Sequence, residues 1–240
     1  MTSGDRMPGA APRRSAPVAR IDHRILRANV EALLLMTGGE YAIADLRHDA
    51  WGHGVREIAR TLVEAGVDGF VVDRSVRDGL SDELPGVAVE ASGDSTLDSS
   101  ALFGLPGTAG TPVMRLAGSV LLVKALRAGE GVSYGFSHRA RADTRIALVT
   151  GGYAQGIVRS LGDHARVRIG ARRHGIVGRV AMDACVVDIG DAEVVRGDEA
   201  VFFGAHVDDP DLAVWTEHTG MTAPELVTAV GARAQREHVS

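Results

Sequence analysis

Gly175–Gly190 reads GIVGRVAMDACVVDIG, and the second half of the chain turns on this stretch. Ile176–Val180 and Cys185–Ile189 are apolar, β-branched runs, and Ala181–Asp183 is long enough only for a tight connection, so two strands joined by a turn are predicted. The same grammar extends outward. Val113–Leu126, Thr144–Thr150, Ala165–Ile169 and Ala200–Phe203 are further strand-like runs separated by glycine-rich turns. Ala223–Val230 predicts a closing helix. From Pro112 onward the chain therefore reads as a β domain.

Upstream the period changes. Ile25, Leu26, Val30, Leu33 and Leu34 recur at helical spacing after Asp22, and Gly38-Gly39 supplies a stop. Tyr41–Leu46 predicts a buried strand, Val55, Ile58, Ala59, Leu62 and Val63 a second helix ending near Gly66, and Gly69–Val72 another strand. Helix, strand, helix, strand with short links is the order of a parallel βα sheet or barrel. Arg74–Gly110, rich in Gly, Ser, Asp and Pro, reads as an irregular connection with Val87–Val89 and Ala101–Leu105 as short strands. The division is thus a mobile tail over 1–17, a βα unit over 18–110 and a β domain over 111–240.

Of the 240 residues, 45% are hydrophobic and 24% charged, the balance of an ordinary globular protein. A net charge of -5 argues against a general nucleic-acid binder, which needs clustered Lys and Arg. Cys185 is the single cysteine, the histidines are scattered, and GGYAQG lacks the Lys and Ser/Thr of a nucleotide loop, so neither a disulfide, nor a metal site, nor a phosphate loop is predicted. No apolar run approaches the roughly 18 residues of a membrane span. The tail lacks the apolar segment of a secretory signal, and the single cysteine makes a cytoplasmic location the default.

Several segments, in order, resemble one family. DLRHDAWGHG (Asp45–Gly54) is similar to the stretch VVKADAYGHG in which alanine racemases carry the pyridoxal phosphate lysine, and ARIDHRILRANVEAL (Ala19–Leu33) resembles the family's opening helix. AGEGVSYG (Ala128–Gly135), DTRIALVTGGYAQG (Asp143–Gly156), GIVGRVAMDACVVDIG and RGDEAVFFG (Arg196–Gly204) resemble successive segments of its C-terminal domain. The resemblance implies an α+β fold: a truncated βα-barrel remnant followed by an alanine racemase-like C-terminal β-domain. A whole (β/α)8 barrel needs about 250 residues, far more than the 110 before the β domain. An open sheet fragment exposes edges and an apolar face, so a second copy of the chain is expected to cover it.

Alignment on the GHG triplet places Arg47 at the lysine position. A guanidinium cannot supply the neutral amine that attacks an aldehyde. The same resemblance puts Leu97 where an arginine would meet the pyridine nitrogen and Pro224 near a phosphate-binding tyrosine, so no cofactor is expected. Tyr153 matches the family's proton-exchanging tyrosine, which reaches into the other subunit's site, and Met182 and Asp183 match its substrate-approaching pair; a turn-finishing tyrosine and an Asx turn are the plain alternatives. Arg47 and His48 are the remaining catalytic candidates, with Tyr134, His53 and Trp51 as further substrate-binding ones; packing is the alternative for His53 and Trp51. These residues lead to an expected cofactor-independent isomerase, cyclase or lyase acting by proton transfer on a small molecule, in a biosynthetic setting, and not a functional alanine racemase. A non-catalytic racemase-like module or partner is the second choice.

Overall fold

The computed structural model describes residues 16–38 and 41–240; the first fifteen residues of the expected tail lie outside the described residues. Strand β1 (Val18–Asp22) runs straight into α1 (His23–Thr37), where the Asp22 carboxylate accepts the Arg24 and Ile25 amides as N-cap and Gly38, at φ 66°, ends the helix. There follow β2 (Ile43–Asp45), α2 (Arg47–Trp51), α3 (Val55–Glu64), β3 (Gly69–Val71), α4 (Arg74–Glu83), β4 (Ala88–Glu90) and α5 (Ser99–Leu102).

Strands β2, β3 and β4 form a parallel sheet in that order. Ala44, Phe70 and Val89 are register partners, so they share one face. All three are buried, in one apolar cluster with Leu26 and Val30 of α1 and Ile58, Ala59 and Leu62 of α3. The outer edge of β2 is sealed within the chain. The Thr96 and Leu97 amides donate to the Ile43 carbonyl at 2.9 and 3.1 Å, while the Ile43 amide donates to Thr96 Oγ1 at 2.9 Å. Edge cover expected from a second copy is thus supplied in part by the segment following β4.

The remainder is β5 (Met114–Leu126), the short pair β6 (Gly131–Val132) and β7 (His138–Arg139), β8 (Thr144–Thr150), β9 (Arg166–Ile169), β10 (Arg172–Val177), β11 (Ala184–Asp188), β12 (Glu199–Phe203), α6 (Ala213–Thr219), α7 (Ala223–Gly231) and β13 (Gln235–Val239). Going round β5, β8, β11, β10, β9 and β12, every neighbour is antiparallel, and β12 pairs back onto β5, which closes a six-stranded barrel. Closure removes free edges. It also needs close approach: a Cβ on Gly118 of β5 would lie 2.2 Å from the Thr150 carbonyl oxygen. Strand β1 adds antiparallel to β5 and β13 parallel to β1, so residues from both ends of the described chain extend the barrel sheet.

Several expectations are corrected. Arg74–Glu83 is a helix rather than irregular chain, and Ser99–Leu102 is a helical turn capped by Asp98 where a strand over Ala101–Leu105 was expected. Strands β1 and β13 and helix α6 carry no signal in the apolar pattern. No helix among the described residues is long and apolar enough to cross a membrane, and no group of three or more His, Cys, Asp or Glu among them is placed to hold a metal.

Candidate functional site

Helix α7, started by a Thr222–Glu225 capping box, separates two groups of candidate residues. On one side a Cβ at Gly52 would meet Val227, Thr228 and Gly231; on the other, a Cβ at Gly156 would meet Ala229 and Val230. At about 100° per residue these contacts fall on roughly opposite faces of α7. The Gly52 turn carries Arg47, His48, Trp51 and His53. The Gly156 turn carries Tyr153. Within one chain the two groups therefore do not converge.

The tyrosine turn is built tightly. After β8, Tyr153–Gln155 form a single 3-10 turn laid against Ala181–Asp183: the Tyr153 amide donates to the Ala181 carbonyl and the Ala154 amide to the Met182 carbonyl, both at 3.0 Å. A Cβ on Gly152 would stand 2.3 Å from the Met182 carbonyl oxygen, so glycine is required there. Gln155 staples the pair of turns together. Its Oε1 accepts the Gly152 amide at 3.0 Å and its Nε2 donates to Asp183 Oδ1 at 2.9 Å. Tyr153 (39% exposed) and Met182 (55% exposed) thus stand side by side at the surface on a rigid backbone. The Arg159 guanidinium lies 5.9 Å from the Tyr153 ring centroid, within cation–π range. The structure sets Tyr153, Met182 and Asp183 in adjoining turns; Gln155 escaped the sequence reading, where only its place in the GGYAQG turn hinted at it.

The Arg47 turn is unusual in its backbone. His48, Asp49, Ala50 and Trp51 all have φ between 53° and 58°, one turn of left-handed helix in non-glycine residues. Each such residue costs roughly 1–2 kcal/mol. The turn persists because its surroundings over-determine it. The His48 amide donates to Asp73 Oδ2 at 2.7 Å, Asp49 Oδ1 accepts the Val55 amide at 2.9 Å, and Asp49 pairs with Arg236 of β13.

Arg47 itself is not a free cation. Asp45, two residues earlier, accepts from its Nε at 2.9 and 3.1 Å and from Nη2 at 2.5 Å. The fork raises the arginine's pKa further, first through that side-chain bond, whereas at Asp45 the lowering by Arg47 outweighs the effect of burial. His48 is exposed. Trp51 is half-buried and packs on Phe103, centroids 5.7 Å apart. His53 is fully buried and stacked on Phe103 at 4.3 Å, which removes it from any surface site. Tyr134 opens the short turn Tyr134–Phe136, and its side chain lies outside the described residues.

A pyridoxal phosphate held as the resemblance implies does not fit these residues. Position 47 offers a guanidinium locked to a carboxylate instead of a neutral amine. Leu97 is buried against β2 and Pro224 occupies the first turn of α7, so neither supplies a polar contact. Lys124, the single lysine of the sequence, lies exposed on β5.

Fold and site together define a class: a short parallel βα unit joined to a closed six-stranded antiparallel barrel that displays a stapled tyrosine turn. The family model of the alanine racemase C-terminal domain matches residues 113–238, more than half of the chain. The chain belongs to the alanine racemase family. It is 43% identical over 130 residues to an alanine racemase of Mycobacterium avium, covering 53% of this chain and 34% of the relative, so it spans about a third of the length of that curated relative. Among solved structures it superposes on an alanine racemase from Streptomyces lavendulae with a TM-score of 0.85 at 22% identity, over 96% of this chain and 98% of that one. One from Bartonella henselae with covalently bound pyridoxal phosphate gives 0.78 at 18% identity, over 93% and 99%. The structural match thus runs nearly end to end where the sequence match covers only part, and at these identities it shows the fold alone. Relatives at 38–43% identity named as alanine racemases overturn the expected cofactor-independent isomerase, cyclase or lyase.

Proposed function

We propose that this chain is an alanine racemase-type enzyme that exchanges the α-proton of a small amino acid, with Tyr153 as the group that carries the proton. The observation that supports this most is the Tyr153 turn: it lies inside the matched region 113–238, its hydroxyl-bearing side chain is partly exposed, and Gln155 and Asp183 fix its backbone. A tyrosine positioned in this way serves as general acid or base if the substrate's α-carbon is brought against it. The Met182–Asp183 turn forms the adjoining wall.

In this reading residues 18–110 are a truncated βα barrel and 111–240 the β domain, to which β1 is lent from the first unit. The chain works in the cytoplasm as a homodimer, in which the tyrosine turn of one copy faces the Arg47 turn of the other, because α7 keeps the two apart within one copy. Any pyridoxal phosphate the enzyme uses is held without a bond to residue 47.

The test is interconversion of L- and D-alanine by the purified full chain, followed by chiral chromatography with and without added pyridoxal phosphate. Racemisation of alanine or of another small amino acid is expected. Absence of any racemisation under both conditions overturns the reading.

A further inference from the structure

Strand β13 is the last strand of its sheet and, among the described residues, has β1 as its single strand partner. Its sequence, QREHV, supplies little that is apolar, so its hold on the parallel unit rests on polar side chains. Arg236 pairs with Asp49 and donates to the Gly52 carbonyl at 3.2 Å, bracing the left-handed turn that carries Arg47 and His48. His238 bonds to His23, the first residue of α1, Nδ1 to Nε2 at 2.8 Å, and His23 Nδ1 lies 2.6 Å from Thr61 Oγ1 of α3. The far end of this chain sets the tautomers. Thr61 Oγ1 donates to the Glu57 carbonyl at 3.3 Å, so it accepts the proton of His23 Nδ1. His23 Nε2 then accepts from His238 Nδ1, and the free lone pair is that of His238 Nε2.

Such a pair accommodates one proton but not two. The first goes to His238 Nε2, which borders an open depression and faces Glu57 Oε2 at 4.0 Å, and it leaves the bond between the rings intact. The second has only His23 Nε2 to go to, the acceptor of that bond, so two N–H groups on two cations would meet there. Surrounding charges act in both directions. Glu57 and Glu64 of α3 and Asp22 favour a charge on His23 and Arg27 opposes it; Glu57 and Asp49 favour one on His238, while Arg236 and His23 oppose it, and a charge on His238 also acts against one on His53. Burial, the largest influence on both rings of the pair, opposes charge and prevails. We propose that the His23–His238 bond is an acid-released latch: it holds β13 to α1 and α3 near neutral pH, and protonation of both rings frees that strand and, with it, the grip of Arg236 on the turn that carries Arg47 and His48. The latch goes beyond the racemase reading and does not depend on it.

Amide hydrogen exchange of the full chain, read as protection factors so that the intrinsic pH dependence of exchange is removed, is the test. An opening that takes up a proton becomes about tenfold easier per pH unit below the ordinary imidazole pKa. Between about pH 7.5 and about pH 4.5 the amides of 235–239 are therefore expected to lose at least about tenfold more protection than those of Thr144–Thr150 in β8. The Gly52 and Gly54 amides, which donate to the His48 and Asp49 carbonyls, should loosen with them. His23→Gln keeps a hydrogen-bonding side chain and leaves one imidazole, so the excess loss should disappear. Should that variant not fold, ¹⁵N titration of the two imidazoles in the unmodified protein decides: His238 Nε2 is expected to protonate while β13 stays protected, and His23 Nε2 only as that protection is lost. Equal losses in β13 and β8, an excess undiminished in His23→Gln, Gly52 and Gly54 amides that stay protected while β13 opens, or two protonated rings beside a protected β13, each overturns the proposal.

Discussion

Asp209→Asn should lower stability by several kcal/mol through one buried carboxylate. The Asp209 side chain is 0% exposed; its Oδ1 accepts Arg168 Nε and Nη2 at 2.8 and 2.6 Å, and its Oδ2 lies 3.5 Å from Arg115 Nε and accepts the His206 amide at 3.3 Å. An amide of the same size loses the charge and turns an N–H group toward one of these donors. Breaking one partner of a buried pair costs about 3–5 kcal/mol. Here the low end applies, near ~3 kcal/mol, because Arg168 and Arg115 keep 19% and 24% of their side-chain surface in water and Arg115 retains Glu199 at 2.6 Å. For a domain of this size each kcal/mol moves Tm by about 2–4 °C, so a fall of roughly 6–12 °C is expected in scanning calorimetry at pH 7. Asp191→Asn is the control. Its ion pair with Arg172 is almost wholly in water, with Asp191 93% exposed, and no measurable change in Tm is expected. A fall of less than about 2 °C for Asp209→Asn would refute the premise that this loop is held by a desolvated charge pair.

Three further outcomes follow from the structure. Burial lowers the pKa of His53 to about 4 and also lowers those of His23, His174 and His238, so below pH 6.5 the unfolded chain binds more protons than the folded one, for His53 down to about pH 4. Stability is full above pH 6.5 and falls as pH drops through that window, by up to roughly 1.4 kcal/mol per unit for each fully affected histidine, and urea midpoints across pH 4–8 should trace this decline. Borohydride reduction in the presence of pyridoxal phosphate should leave no pyridoxyl group on the peptide containing Arg47; a mass shift there would contradict the reading of the Arg47–Asp45 pair. Sedimentation at micromolar concentration should show a homodimer, which at the usual obligate-interface size buries more than about 2,000 Å², and a stable monomer would remove the facing-copies arrangement.

The barrel was legible because its strands alternate or run apolar between glycine turns: Thr144–Thr150 is found at the expected residues, and Cys185–Ile189 one residue earlier, at Ala184–Asp188. What could not be read depends on distant partners or on too little buried surface. QREHV of β13 has no apolar alternation and becomes a strand because β1 offers it a parallel edge. Helix α4 buries only Leu80, so RSVRDGLSDE shows no stripe and reads as loop. The site divides in the same way. The ordered segments that resemble the family singled out Tyr153, Met182 and Asp183 as candidates, and the structure places them in adjoining turns. The Asp45–Arg47 fork, the left-handed turn over 48–51 and the Gln155 staple are side-chain and backbone events that periodicity does not encode.

The proton transfer proposed for Tyr153 is at the α-carbon of a small amino acid. Its most direct test is deuterium exchange into L-alanine in D₂O, followed by proton NMR with pyridoxal phosphate present, comparing the unmodified protein with Tyr153→Phe. Removing one hydroxyl barely changes packing volume, so circular dichroism and Tm should be unchanged while the exchange rate falls by about 10²- to 10⁴-fold, the usual contribution of a general acid–base group. An exchange rate in Tyr153→Phe equal to that of the unmodified protein, or no exchange in either, would contradict the account.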